Sequence, residues 1–212
     1  MDDIKRQSPV QFESRPVSTE VRDHWPVVLE YEGEGAGPWL VDLSHKHRWD
    51  FQDGHLDAQK PAGIDPPAMQ GDCHLEDGIL VNRMNRTQAA VWHLAHRDPN
   101  PPEPPAEPGY TDVSEATVLL ALLGPKVFAV AEKLSALDLT DPGRRPPILL
   151  QGPFSHVPCQ IVILKREQDG SGAILLTCSR GYAHDIVHAI LDAGAEFGLQ
   201  PAGETAFAPY LE

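Results

Sequence analysis

The sequence predicts an α+β protein in which helices pack on one face of antiparallel sheets. Two observations lead there. From residue 116 onward the apolar pattern switches between strand and helix periods in the order β-α-β-β-α. Before that, only short β-prone runs occur, separated by Gly- and Pro-rich turns. The 21 prolines in 212 residues reinforce this, because proline interrupts long helices and favours many short connections.

In chain order, residues 1–24 are polar and irregular and are expected to form an N-terminal arm. A first half spans residues 25–96. In it Trp25–Tyr31 reads as a strand with Pro26 near its start, where a missing N–H does least harm. Gly33, Gly35 and Gly37 make a turn, Trp39–Leu43 a second strand, Arg48–Gln52 a short third, and Ile79–Val81 a brief buried strand. Thr87–Ala95 reads as a helix, with Ala90, Val91 and Leu94 at helical spacing and Asn85 or Thr87 as its cap. Residues 97–109 are dominated by proline and predict an extended, polyproline-like connector. Its acidic residues argue against a ligand for an SH3- or WW-type module.

The second half, residues 110–212, is patterned more sharply. Ala116–Leu123 is an apolar strand ended by Gly124-Pro125. Lys126–Leu137 is an amphipathic helix with Val127, Val130, Ala131, Leu134 and Leu137 along one face. His156–Lys165 and Ala173–Cys178 form a hairpin about the turn at Asp169–Gly172. Gly181 opens a second helix running to Phe197, with Gly194 and Gly198 as stop signals, and Phe207 is placed in a closing strand.

Composition excludes some functions. With 31 Asp and Glu against 17 Lys and Arg, the formal charge is −14. Nucleic-acid binders gain affinity from Lys and Arg neutralising phosphates, and anionic membrane surfaces attract the same residues, so neither partner is expected. The longest apolar run, Val118–Leu123, is far short of the ~20 residues that span a bilayer. The first eight residues lack the apolar core of a signal peptide. Cys73, Cys159 and Cys178 are odd in number and widely spaced, which predicts free thiols, no thiolate zinc site and a cytoplasmic location.

Three places resemble the aminomethyltransferase (glycine-cleavage T-protein) superfamily, and within it the gamma subunit of heterotetrameric sarcosine oxidases. Leu40–His45 is similar to the family's hydrophobic-Asp-x-Ser-His strand end. Leu119–Val127, leading into Phe128–Leu134, is similar to its strand, Gly-Pro, helix element. Thr177–Ala183, with the helix through Ile190–Gly194, is similar to the gamma subunit's last strand and helix. The resemblance implies a T-protein-like fold of two ferredoxin-like β-α-β-β-α-type halves, lacking the C-terminal barrel. It also implies a one-carbon setting in which sarcosine, glycine or methylamine is oxidised with tetrahydrofolate. Larger flavin- and folate-binding subunits of a hetero-oligomer are the partners it implies. The T-protein's Gly-Tyr-Thr-Gly-Glu turn is absent from this sequence. The nearest stretch to its acidic folate turn is Gly71–Gly78.

No residue presents itself as catalytic, and no metal set is expected. Asp42, Ser44 and His45 are the residue types of a hydrolase triad, but triad members converge from separate segments, so capping at a strand end is favoured. His45 and His47 lack a third ligand. His184, His188 and Asp192 form one stripe on a helix, offering at most three of the four ligands zinc prefers. The cofactor-binding candidates are Asn82, Arg83 and Arg86, with Asn85 beside them, and Arg180. Guanidinium offers planar, bidentate donors to carboxylate or phosphate, which suits the glutamyl end of tetrahydrofolate as candidate cofactor, or a salt-bridged subunit contact. The plainer alternative is a solvated turn. The leading expectation is a gamma-like subunit without catalytic residues of its own. The alternative is a stand-alone, minimal tetrahydrofolate-dependent methyl- or aminomethyltransferase using Asp72, Glu76 or Asp77. The four tryptophans, Trp25, Trp39, Trp49 and Trp92, are expected to be core or interface anchors.

Overall fold

The computed structural model describes residues 5–95, 97, 100–104, 106 and 108–211. Among these residues the strands are β1 (Pro16–Arg22), β2 (Trp25–Tyr31), β3 (Trp39–Asp42), β4 (Arg48–Gln52), β5 (Cys73–Glu76), β6 (Ile79–Arg83), β7 (Gln88–His93) and β8 (Tyr110–Asp112). Then come β9 (Thr117–Gly124), helix α1 (Val127–Glu132), β10 (Ile148–Phe154), β11 (Val157–Arg166), β12 (Gly172–Ser179), helix α2 (Ala183–Gly194) and β13 (Gln200–Ala202). They form a β1-β2 hairpin, a five-stranded sheet ordered β5-β6-β7-β4-β8 and a six-stranded sheet ordered β10-β11-β12-β9-β3-β13. All pairings are antiparallel except β13 on β3, so the larger sheet is mixed.

The reason for the layering lies in β9. Every residue from Val118 to Gly124 is buried. Side chains alternate across a strand. Val118, Leu120 and Leu122 therefore join the core under the helices, with Val127, Val130, Ile186 and Ile190. Leu119, Ala121 and Leu123 join a second core with Leu80, Ala90 and Trp92 of the five-stranded sheet. The outer face of that smaller sheet is covered by the 56–64 segment, where Leu56 and Ile64 pack on Trp49, Phe51 and Val91. An apolar run of this kind marks a strand with both faces covered. The α+β class with helices on one face holds.

Four elements differ from the expectation. Thr87–Ala95 is not a helix but β7, between β4 and β6. Ala89 and Val91 face one core and Ala90 and Trp92 the other. A strand buried on both faces is apolar throughout, so the helical spacing read there was coincidental. The first half therefore contains no α-helix among its described residues. Residues 16–22 of the arm are a strand hairpinned to β2. Helix α1 ends at Glu132 because the chain turns to meet β10, the Ser155 N–H donating to the Leu134 carbonyl at 2.7 Å. Phe207 lies just after a 3-10 turn at Glu204–Ala206, and the closing strand is β13.

The predicted β11–β12 hairpin and the second helix are present. In the connector, residues 98, 99, 105 and 107 lie outside the described residues, and the described ones there form neither helix nor strand.

Candidate functional site

Two cavities hold polar groups of chemical interest. The first lies under the arm. The Asp42–His45 turn ends β3, and its side chains take separate tasks. Asp42 Oδ1 accepts from the Ser44 N–H at 2.9 Å, and Oδ2 from the Ser8 hydroxyl at 2.5 Å. Ser44 Oγ accepts from the Leu119 N–H at 3.3 Å. His45 turns the other way, to Glu204 at 3.4 Å. Asp42 and His45 are thus not linked as a relay, and the turn-capping reading describes them. His47 goes to Asp23 at 3.6 Å, so the two histidines serve different carboxylates.

Glu204 is the centre of a buried ionic cluster. Its Oε2 meets Arg22 Nη2 at 2.6 Å, and its Oε1 is paired with Lys46 Nζ and His45. The side chains are 2–10% exposed. The cluster is assembled from the end of β1, the turn after β3 and the turn after β13. Gly203 makes that approach feasible: a Cβ there would stand 2.2 Å from the Leu29 carbonyl oxygen, on β2. Burial by itself would raise the Glu204 pKa, but His45, Arg22 and Lys46 together hold it well below the usual carboxylate range. Burial pushes His45 down, leaving it neutral near pH 7, and likewise lowers Lys46.

Beside the cluster, Arg48 is almost wholly buried with all its donors used. Nε donates to Thr117 Oγ1 at 3.0 Å; Nη1 to the Ser44 and Lys46 carbonyls; Nη2 to those of Ser114 and Thr117. Burial lowers its pKa to about 10, so it remains charged at neutral pH.

A cavity of about 300 Å³ opens between the arm, the β1-β2 hairpin and the end of β3. Its walls include Trp25, Tyr31, Asp42 and His45. Burial, then the charges of Asp42 and Glu34, push the Tyr31 hydroxyl up to about 12.

The second cavity is an open cleft of about 520 Å³ lined by Asp72, Cys73, His74, Arg144, Arg145 and Ile148, among others. Arg144 Nη2 donates to the Gly71 carbonyl at 2.7 Å and stands 3.6 Å from Asp72. Leu149 N–H donates to the Gly71 carbonyl at 2.7 Å, stitching the 71–72 turn between β6 and β10. Burial, then Asp72, raises the Cys73 thiol, so it is no thiolate nucleophile at neutral pH. Of the acidic residues in this stretch, Asp72 lines the cleft, while Glu76 and Asp77 are exposed at the β5–β6 turn and do not.

The four residues read as cofactor-binding are not brought together at one cavity. Asn82 is fully buried in β6, and neither amide atom has a hydrogen-bond partner. Arg83 is buried and donates to Asp57 and, at 2.8 Å, to the Pro67 carbonyl. Arg86 is exposed and makes no hydrogen bond among the described residues. Arg180 is on the arm side, donating to the Gln7 carbonyl with its guanidinium 6.0 Å from the Trp25 ring centre. Sequence reasoning missed Glu204 and Lys46 altogether; no local pattern surrounds them. His184 and His188 are neighbours, with rings 4.5 Å apart, but no group of three or more metal-ligating side chains occurs among the described residues. No helix of the described residues is long and apolar enough to cross a membrane.

No family model matches the sequence. The chain is 30% identical over 125 residues, 59% of its length, to an aminomethyltransferase of Geobacillus thermodenitrificans (strain NG80-2). It spans 32% of the length of that relative. Among solved structures it is similar to a chain of the heterotetrameric sarcosine oxidase from Corynebacterium sp. U-96, a complex with pyrrole 2-carboxylate. The TM-score is 0.59 at 19% identity, covering 74% of this chain and 84% of that one. The resemblance holds, and the fold is T-protein-like. The larger share of the sarcosine oxidase chain that is covered makes that chain the shorter of the two.

Proposed function

We propose that this T-protein-like chain is a gamma-like, non-catalytic subunit of a sarcosine-oxidase-type, tetrahydrofolate-linked one-carbon enzyme complex. The observation that carries the reading is the extent of each match: 84% of a chain from a hetero-oligomeric oxidase, against 32% of an aminomethyltransferase. The side chains agree with it. Arg83 and Arg180 spend donors on carbonyls of their own chain, as bracing residues do. In this reading the larger subunits bind flavin and folate, and Arg86 is the member of the predicted set free to meet a folate carboxylate across an interface. The three unpaired thiols fit a cytoplasmic complex. Native co-purification with mass spectrometry tests it. Recovery with a larger flavoprotein is expected, and a lone monomer from the native cell overturns it.

A second reading has one observation in its favour. Asp72 lines the open cleft together with Arg144 and Arg145, as an acid and an anion clamp of a minimal folate-dependent transferase would. Calorimetry with tetrahydrofolate separates the two: the isolated chain binds it in the second reading and not in the first.

A further inference from the structure

Two of the three free thiols face one another, and neither reading uses them. Strands β11 and β12 are antiparallel, and Gln160 stands opposite Thr177. One step along each strand, Cys159 therefore stands opposite Cys178. The row across the sheet is Gly152, Cys159, Cys178 and Val118, since Gly152 faces Cys159 on β10 and Val118 faces Cys178 on β9. Facing residues of an antiparallel pair point to the same side, and both cysteines belong to the core under the helices. The Cα atoms of facing residues are about 4.5 or 5.5 Å apart, inside the ~4.4–6.8 Å that a disulfide spans. A bond between them needs side-chain rotation and no new strand register.

The two sulfurs have complementary chemistry. The hydrogen bond between the thiols, ahead of burial, pushes Cys159 up, and the same bond holds Cys178 below the ordinary thiol value against burial. Cys178 is thus the first to become a thiolate, the form that attacks an oxidant, and Cys159 stays a thiol beside it. Both lie near the ends of their strands. Pro158 and Ser179, next to them in sequence, are exposed, and the cysteines keep 6% and 5% of their own surface. A small oxidant reaches them there. Cys73 has no such partner, because it faces Asn82 in the five-stranded sheet.

We propose that Cys159 and Cys178 are a redox-active pair that hydrogen peroxide closes into a reversible disulfide, stapling β11 to β12 beneath the helices. The Cys178 sulfur attacks one peroxide oxygen, the O–O bond breaks, the other oxygen leaves as water, and a sulfenic acid remains. The Cys159 sulfur then attacks that sulfur. The S–S bond forms, the S–O bond breaks, and a second water leaves with the Cys159 proton. Two thiols lose two electrons and two protons, and one peroxide becomes two waters. A dithiol reductant reverses the step by thiol–disulfide exchange. In a reducing compartment such a pair rests as thiols and closes only under oxidation. The inference is independent of the subunit role and of folate.

The test treats the folded 212-residue chain with one equivalent of hydrogen peroxide, alkylates the remaining thiols in urea and maps unreduced peptides by mass spectrometry. A link between Cys159 and Cys178 within one chain is expected, with Cys73 alkylated. Dithiothreitol should return all three thiols. Oxidation governed by exposure alone would take Cys73 first, because it is less buried than the other two. Cys73→Ala should link as completely as the unchanged chain, and Cys178→Ala should form no link. The proposal is overturned if excess peroxide leaves Cys159 and Cys178 alkylatable. It is also overturned if they pass to sulfinic or sulfonic acid without linking, or if the link forms only when peroxide is added in urea. These outcomes are read on the unchanged chain, so they decide the matter even where a core variant fails to fold.

Discussion

The arm side and the cleft side of this molecule handle charge in opposite ways. On the arm side, Glu204, Arg22 and Lys46 are buried and paired with one another, and Arg48 is buried with its donors on backbone carbonyls and Thr117 Oγ1. On the cleft side, Arg144 and Asp72 stand 3.6 Å apart, about a third and half exposed, within reach of water. Desolvation makes the difference. Breaking a buried ion pair costs several kcal/mol because it leaves a charge out of water without its partner, whereas a solvated pair contributes little because water competes for both partners. The arm side is therefore where substitution reports on the architecture. The cleft side is where side chains are free to change.

The largest effect is expected at Arg48. Arg48→Met removes the donors that tie the 44–46 turn to Ser114 and Thr117, leaving buried carbonyls without partners. Urea denaturation should show a loss of about 3–5 kcal/mol. A loss below about 1 kcal/mol would break the comparison, since Arg48 would then be behaving like a surface residue.

Glu204→Gln should cost less, about 2–3 kcal/mol, because the amide still accepts hydrogen bonds while Arg22 and Lys46 lose their counter-charge. It also sharpens the pH behaviour. The folded-state pKa of Glu204 lies below its ordinary value of 4.5. The carboxylate's contribution is thus fully present above about pH 4.5 and is lost as pH falls toward the depressed folded value. Thermal melts from pH 7 to pH 3 should fall more steeply for the unchanged chain than for Glu204→Gln.

A backbone position at the β5–β6 turn comes next. Gly78 turns between β5 and β6 with φ +73°, and a Cβ there would lie 2.1 Å from that of Ala95. Gly78→Ala should destabilise by about 1–3 kcal/mol, read by the same denaturation. The smallest effect is expected for Arg144→Ala, at most about 1 kcal/mol, with no steepening of the acid limb. A larger loss would mean that the cleft is as tightly braced as the arm.

How legible each part was follows from the range of the interactions. Strands β2, β9, β11 and β12 and helix α2 carry their own evidence, because alternation, apolar continuity and helical spacing are properties of adjacent residues. Strand β7 was misread for the same reason in reverse. Burial on both faces erases alternation, and Ala90, Val91 and Leu94 then fit a helical period as well. Strands β1, β5, β8 and β13 are short or polar, and pairing partners define them more than composition does. Leu40–His45 stood out as a motif, yet its chemistry did not. Only the folded chain shows that Asp42 faces a cavity and His45 faces Glu204.

From sequence alone came the α+β class, the acidic character that argues against nucleic acid, the strand and helix pattern after residue 116, and the T-protein resemblance. All of these are encoded in short-range pattern and composition. The tertiary structure alone decided which charges meet. Arg22, Lys46 and Glu204 come from three segments of the chain, and no period or spacing links them. Their pairing exists because β3 and β13 run side by side and bring the ends of those segments out of water together.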